Sequence, residues 1–396
     1  MRPEEKPTKL VLVVSEDWYY WSHRRPIALR AIELGWDVTL VTRLSDCREK
    51  IEADGVRVVA ADLRRGSLNP WRDIGYLRTL LRVYRNIRPT LVHHVAMKPC
   101  LYGSIAARMT GVPSVVNALA GMGYLFTSSG ISARLIRPLL LVSFRCFLGR
   151  RNCRLILQNA DDVATFRDTV GIRQDRICRV PGSGVDLSEF RPAAARPDAG
   201  RVVCVTMISR LLHDKGVLEL IEAARLLKRR GVHCCIRIVG DADADNPNAI
   251  DREVLASAAR EGIVELPGRR SDVAQLYQAS DIAVLPSYRE GLPKSLAEAA
   301  ACGLPIVTTD VPGCRQVVED GVNGILVPPR EAGPLADAIE RLVRDAELRR
   351  TMGAASRRRA EREFGLDRIV VDTFDVYQSV MGHDLTAAVP AGSYST

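Results

Sequence analysis

The chain is predicted to be an α/β protein of two Rossmann-like domains, each a mostly parallel sheet flanked by helices. Three observations carry that prediction. At 396 residues, 47% of them hydrophobic, the chain is long for one core and comfortable for two. Short apolar runs alternate with amphipathic stretches, which is the pattern of strand–helix–strand units. The rhythm stops once, at the polar, proline-bearing "FRPAAARPDAGR", and restarts after it.

In order, "KLVLVVS" and then "RRPIALRAIELGWDVTLVTR", with Gly35 at the helix stop, read as strand, helix, strand. "VRVVAAD", a helix near 71–88, "TLVHHV", the helix "LYGSIAARMTG" and the strand "PSVVNAL" continue the first domain, assigned to residues 1–192. The second, 198–365, runs through "VVCVTMIS", the helix "GVLELIEAARLLKRRG", "CCIRIVGD", a helix near 251–261, "IVELPG", "DIAVLPS", a further helix and "LPIVTTD". A helix over 366–383 is expected to pack back on the first domain, and 384–396 to be disordered. Open parallel sheets bind ligands beyond the carboxyl ends of their strands, so a central cleft between the two sets of strand ends is the expected site.

Composition narrows the function. No apolar run approaches the ~18 residues of a spanning helix, and the polar start "MRPEEKPTK" followed by a short "LVLVV" is not a secretory leader, so a cytoplasmic protein is expected. A net charge of +9 suits phosphates, anionic lipid or nucleic acid; with 5% aromatics and no stacking array, nucleic acid is disfavoured. Ten cysteines without a C-x-x-C pair indicate neither a zinc site nor a disulfide framework, and are read as buried small hydrophobes. No G-x-G-x-x-G follows the first strand, which disfavours a nicotinamide enzyme. No acidic metal motif stands in a plausible place; the acidic "GDADADN" (240–246) is read as a solvated loop, so neither cofactor nor metal is expected.

The stretch "SYREGLPKSLAEAAACGLPIV" places Glu290 and Glu298 on either side of a helix start. Pro293 opens a helix over 293–302, and Cys302, Gly303 and Pro305 end it. Eight residues of helix rise about 12 Å, too far for two carboxylates to act on one bond. They suit two ends of an elongated ligand, with the helix N-terminus between them favouring a phosphate. In "SRLLHDKGVLELI", Arg210 and Lys215 follow a strand end and supply two cations that can neutralise a departing diphosphate without a metal. Lys294 is either a solvated charge or a further one near that phosphate.

"SRLLHDKG", "DIAVLPSYREGLPKSLAEAAACGLPIVTTDVPGCRQVVEDGVNGILVP" and "VPGSGVDLSEF" resemble the motifs of glycosyltransferase family 4, the retaining GT-B transferases that use nucleotide sugars. The resemblance implies that Glu290 contacts the donor sugar, Glu298 the ribose, Arg210 and Lys215 the diphosphate, with Gly291, Leu292 and Pro293 lining the same site. "SEDWYYWSHRRPIA", "LVHHVAMKP" and "VVNALAGMGYLFTSSG" are similar to the branch that extends undecaprenyl-diphosphate-linked sugars for capsule, O-antigen or exopolysaccharide. The chain departs from the family where many members carry glycines in the first βα loop and a histidine after the "VV" strand; here stand "WYYWSHR" and Ala120-Gly121. His23, His93 and His94 are the candidates to replace that histidine, and strand alternation lets only one of His93 and His94 face a cleft. Asn117, Gly121 and Gly123 are acceptor-site candidates. Arg134, Arg137 and Arg145 would lie within about 80° on one continuous helix, unless Pro138 breaks it, and are candidates for contact with anionic lipid.

The expected reaction is transfer of a hexose or N-acetylhexosamine from a nucleotide diphosphate sugar, UDP-linked, to a lipid-diphosphate-linked sugar. The enzyme would be peripheral on the inner face of the plasma membrane. The competing readings are a nucleotide-sugar 2-epimerase of the same architecture and a silent sugar-nucleotide-binding subunit.

Overall fold

The computed structural model describes residues 7–63, 70–119, 131–193, 201–242, 246 and 248–382, without the side chains of 70, 131–137 and 139. The chain divides into two units, Met1–Val180 with Ile369–Thr396, and Pro181–Arg368. The first crossing therefore falls twelve residues before the expected end of the first domain at 192, and the second inside the last helix. The expected tail 384–396 lies outside the described residues.

Unit 1 runs β1 (Lys9–Glu16), α1 (Asp17–His23), α2 (Arg25–Glu33), β2 (Asp37–Arg43), α3 (Arg48–Ala53), β3 (Arg57–Ala60), α4 (Pro70–Ile87), β4 (Leu91–Val95), α5 (Met97–Thr110), β5 (Ser114–Leu119), α6 (Ile131–Leu148), β6 (Cys153–Leu157), α7 (Ala160–Asp168) and β7 (Ile177–Arg179). Its strands are parallel, in the order β3-β2-β1-β4-β5-β6-β7. Central strands such as β4 and β5 are buried along their whole length. That is the consequence of covering both faces of a parallel sheet with helices. Pro138 stands inside α6 without ending it, so of the two possibilities the continuous helix holds.

Unit 2 continues with β8 (Val203–Ile208), α8 (Val217–Arg229), β9 (Cys234–Val239), α9 (Arg252–Arg260), β10 (Glu265–Gly268), α10 (Val273–Gln278), β11 (Ile282–Leu285), α11 (Lys294–Ala301), β12 (Ile306–Thr309), α12 (Cys314–Val317), β13 (Gly324–Val327), α13 (Ala332–Arg344) and α14 (Ala346–Glu363). Its order, β10-β9-β8-β11-β12-β13, is again parallel. In both sheets the order reverses once, between β1 and β4 and between β8 and β11. Such a reversal leaves a crevice at the carboxyl ends of the two central strands.

The final helix, α15 (Leu366–Met381), leaves unit 2 and lies on unit 1. Phe374 packs on Trp36 at 5.5 Å between ring centroids, Tyr377 bonds His93, and Arg154 donates to Ser379 O at 2.8 Å. The cysteines are all unpaired. Cys100, Cys153, Cys204, Cys302 and Cys314 are buried as expected of small hydrophobes, whereas Cys146 is exposed.

Candidate active site

In unit 2 the segments that follow β8 and β11 meet at the reversal point. After β8 the chain passes Arg210, which is exposed, makes a tight turn over 213–215 and enters α8 through Gly216. That position requires glycine twice over. Its φ is +73°, and a Cβ would stand 2.0 Å from Pro286 O. The two segments are thereby in backbone contact, and Tyr288 N donates to Asp214 O at 2.8 Å. Gly313, at φ +82°, lets the chain after β12 approach equally closely, since a Cβ there would lie 2.6 Å from the carbonyls of Glu290 and Gly291.

This close approach brings Lys215 Nζ to 2.5 Å from Glu290 Oε1, in a pair whose side chains are 16% and 12% exposed. Ser287 Oγ lies 2.7 Å from the same carboxylate oxygen. The sequence places these groups 75 residues apart and assigns them to different parts of a ligand; their direct contact is what it does not reveal. Behind them, Tyr288 Oη donates to Glu219 at 2.6 Å while Arg330 covers the tyrosine ring at 4.7 Å. Burial, then Glu219, pushes the Tyr288 phenol well up, so it stays a donor.

Pro293 caps α11 from outside the helix instead of opening it, and no side chain caps that N-terminus. Leu292 packs against Gly182, whose φ of +82° lets the chain pass within contact distance. Glu298, one turn into α11, is 8% exposed, with Lys294 Nζ 3.3 Å from its carboxylate. Burial raises its pKa, against the opposing pull of Lys294. A shallow cavity of about 290 Å³ opens at the carboxyl ends of β8, β9 and β10, lined by Leu211, Ile238, Gly240, Leu266 and Gly268. Among the described residues, no three histidine, cysteine or acidic side chains gather as a metal site would need.

The unit 1 candidates fare differently. His93 and His94 are both fully buried, which corrects the expectation that one of them would face a cleft: helices cover both faces of β4. His94 is a core residue. Asn117 Oδ1 accepts from its Nδ1 at 2.8 Å, so its Nε2 accepts from Tyr84 Oη, also at 2.8 Å. Burial pushes its pKa down to about 4, so it is neutral. Asn117 is spent in the same cluster, held by Ser104 and Cys153. That corrects its reading as an acceptor contact. His93 pairs through Nδ1 with Tyr377 Oη at 2.7 Å. His23 ends α1, half-buried and stacked on Tyr19 at 4.1 Å. Gly121 and Gly123 lie outside the described residues, as do the side chains of Arg134 and Arg137; Arg145 is exposed on α6.

Two features of unit 1 escaped the sequence. Asp17, fully buried, accepts from Ser45 N at 2.6 Å and Cys47 N at 3.2 Å and so ties the end of β1 to the loop after β2. Burial pushes its carboxyl up, but these bonds outweigh it and hold the group below the usual range. On α4, Asp73 is clamped by Lys98 and Tyr102, each at 2.8 Å, while Tyr76, Leu80, Val83 and Tyr84 enter the core. The opposite face carries Trp71, 79% exposed, and Ile74, followed by exposed Arg78, Arg82 and Arg85. At 100° per residue all five fall within about 80°. Those three arginines form no ion pair with any described residue.

Two family models match the chain, one within each unit. The family model described as "Glycosyl transferase 4-like" matches residues 9–150, and "Glycosyl transferases group 1" matches 202–345. The chain is 28% identical to the N,N'-diacetylbacillosaminyl-diphospho-undecaprenol alpha-1,3-N-acetylgalactosaminyltransferase of Campylobacter jejuni, over 82% of this chain and 87% of that protein. It is 26% identical to the UDP-Gal:alpha-D-GlcNAc-diphosphoundecaprenol alpha-1,3-galactosyltransferase of Escherichia coli, over 79% and 81%. In fold it is similar to HepE of Anabaena, solved in complex with UDP-glucose, with a TM-score of 0.74 at 20% identity, covering 93% of this chain and 99% of that one.

Proposed function

We infer the reaction from one premise: this chain belongs to the family 4 glycosyltransferases and has their GT-B architecture. It transfers a hexose or N-acetylhexosamine from a nucleotide diphosphate sugar, UDP-linked, to a sugar carried on a lipid diphosphate. Unit 2 takes the donor and unit 1 the acceptor. The observation that carries the reading is the Lys215–Glu290 pair at the reversal point of unit 2.

In this reading the free protein keeps Lys215 satisfied by Glu290 until donor arrives. Lys215 then exchanges the carboxylate for a phosphate oxygen and, with Arg210 and the uncapped start of α11, stabilises the charge that builds on the departing diphosphate. No metal is required for that step. Glu290, released and still held by Ser287, accepts hydroxyls of the donor sugar. Glu298 accepts the ribose hydroxyls, Leu292 and Lys294 border the same ligand, and the cavity beside Leu211 and Leu266 takes the base. Both relatives named above are transferases, which favours transfer over the 2-epimerase and the silent subunit.

No described helix is long and apolar enough to cross a membrane. A polyprenyl acceptor stays in the bilayer, so the enzyme attaches peripherally to the inner face. Trp71 and Ile74 supply apolar contact, and the exposed arginines of α4, with Arg145 and its helix, supply attraction to anionic headgroups.

The test is a panel of nucleotide sugars offered with short polyprenyl-diphosphate-linked sugars in chelator, with products followed by mass spectrometry and NMR. One donor should be consumed, with the donor's anomeric configuration kept in the new bond. An inverted product, or C2 epimerisation without acceptor, would overturn the reading.

A further inference from the structure

α1 begins where β1 ends, and its seven residues include Trp18, Tyr19, Tyr20 and Trp21. Three of those rings are taken up by the fold. Tyr20 is fully buried, Trp21 lies under the Arg25 guanidinium at 4.5 Å, and Tyr19 stacks on His23 with centroids 4.1 Å apart and planes 6° from parallel. Trp18 meets Tyr19 at 5.9 Å with the rings at 74°, and it remains 40% exposed. One indole on an open surface would need no explanation. This one differs in where it stands and in how it is held.

β1 is a central strand, with Lys9 opposite Asp37 of β2 and Leu10 opposite Leu91 of β4, and the strand order reverses between β1 and β4. Trp18 comes two residues after Glu16, the last of β1. It therefore stands at the end of the sheet where open parallel sheets bind their ligands. A buried charge holds it there. Asp17, fully buried, accepts from Trp18 N at 2.7 Å, from Ser45 N at 2.6 Å, from Ser45 Oγ and from Cys47 N at 3.2 Å. Three of those donors are backbone N–H groups, so the carboxylate fastens the first turn of α1 to the loop after β2. Burying a charge only to join two segments is costly. Because the N–H of Trp18 is among its donors, the same carboxylate also fixes the backbone from which the exposed indole projects, and a ring fixed in advance loses little freedom when a ligand covers it.

We propose that Trp18 is the platform on which unit 1 stacks the sugar ring of the acceptor. A pyranose has a face of C–H groups and an edge of hydroxyls; the face lies on an indole while the edge stays open to polar groups and water. The nucleotide and the donor sugar are assigned to unit 2, so the ring for unit 1 is that of the lipid-linked acceptor; this identification rests on the function proposed above. Lipid is the weaker occupant, because the exposed apolar residues accompanied by arginines, Trp71 and Ile74, stand on α4. Trp18 binds and orients the sugar and takes no part in bond making.

Two variants test it, Trp18→Ala, which removes the ring, and Trp18→Phe, which keeps a smaller one. With UDP saturating unit 2, saturation-transfer NMR is run on a panel of methyl hexosides and methyl N-acetylhexosaminides. Wild type and Trp18→Phe should pass magnetisation to the C–H face of at least one glycoside, and Trp18→Ala to none. In turnover on the polyprenyl-diphosphate-linked form of that sugar, Trp18→Ala should raise the acceptor KM about tenfold and Trp18→Phe only a fewfold. KM for the nucleotide sugar should not change. Both variants should melt within about two degrees of wild type, as an exposed ring predicts. A panel on which wild type and Trp18→Ala behave alike overturns the proposal, as does a rise of donor and acceptor KM together, which marks a structural ring. Weaker sedimentation of Trp18→Ala with anionic vesicles at unchanged glycoside binding gives the indole to lipid and also overturns it. Loss of glycoside binding with acceptor KM unchanged shows a sugar site outside the reaction and overturns the acceptor assignment. If wild type glycosylates no lipid-linked sugar, the function proposed above fails, while the NMR arm still decides on the platform.

Discussion

At the reversal point of unit 2, the cation that follows the first central strand is already answered, with Lys215 against Glu290 and Ser287 beside them. After the first central strand of unit 1, Arg24 forms no hydrogen bond or ion pair with any described residue. On the surface the difference is confined to one helix. In unit 2, Arg225 meets Glu261 at 2.8 Å, Arg230 meets Asp337 at 2.7 Å and Arg237 meets Glu265 at 2.9 Å, whereas Arg78, Arg82 and Arg85 on α4 of unit 1 form no ion pair with any described residue. The two domains differ at these points and not in charge pairing generally, since Arg25 and Lys98 of unit 1 meet Asp54 and Asp73. A site that carries its own counter-ion can bind and release a soluble ligand by exchange. In the function proposed above, the arginines of α4 meet anionic headgroups.

The largest effect that would break this comparison lies in unit 2. Lys215→Ala should lower kcat/KM by about 10²- to 10³-fold, as expected for the loss of a preorganised charge-stabilising donor. Steady-state rates with saturating acceptor check it, and a variant within a fewfold of wild type would make the Lys215–Glu290 pair structural. Next in size is the unpaired face of unit 1. Changing Arg78, Arg82 and Arg85 together to Gln should weaken partition onto anionic vesicles about a hundredfold, at ~1 kcal/mol per arginine near the headgroups. Wild-type partition should itself fall as salt rises. Equal sedimentation of mutant and wild type would leave α4 an ordinary solvated helix.

Much of unit 2 was legible because its site is built from local signals. A strand end, Gly216, Pro293 and two glutamates flanking a helix start stand in two short stretches, and the parallel sheet brings those stretches together at the reversal point. What stayed hidden there was the one contact across 75 residues. Unit 1 was harder for a physical reason. "LVHHV" alternates like a half-buried strand, yet it becomes β4, the centre of a sheet covered on both sides, so both histidines are enclosed. The partner of His93 is Tyr377, 284 residues away on a helix that arrives from the other unit. Arg24 is defined by the absence of a partner, which only a folded chain can display.

His94 sharpens the comparison from the side of the core. His94→Ala should cost about 2–3 kcal/mol of stability, from lost packing and the stranded hydrogen-bond partners Tyr84 and Asn117. Activity per folded molecule should hold. Its folded pKa, near 4, lies below the ordinary value of 6.5, so the neutral ring contributes stability that is present above pH 6.5 and is lost as pH falls toward 4. Denaturant titrations across that window should show the wild type losing more stability than the variant. A fall in turnover with unchanged stability would return His94 to the list of site residues.

Glu298 is the smallest and the most discriminating test, because stability and function should move in opposite directions. Its carboxyl is buried, its pKa is raised by that burial, and Lys294 at 3.3 Å only partly offsets the cost. The sign follows from linkage: with the folded pKa above the ordinary 4.5, the folded chain binds the proton more tightly than the unfolded chain does. The carboxyl is therefore harmless at low pH and increasingly unfavourable as pH rises through its folded pKa. Glu298→Gln, neutral at every pH, should match wild type in melting temperature near pH 4 and exceed it by a few degrees at pH 7 and above. Donor and free UDP should both bind about tenfold more weakly, since an amide replaces one charged acceptor of the ribose hydroxyls. Glu290→Gln should instead slow turnover and leave UDP affinity nearly intact. If Glu298→Gln is less stable than wild type at neutral pH while binding UDP normally, the carboxylate is a structural partner of Lys294, and the ribose contact proposed for unit 2 fails.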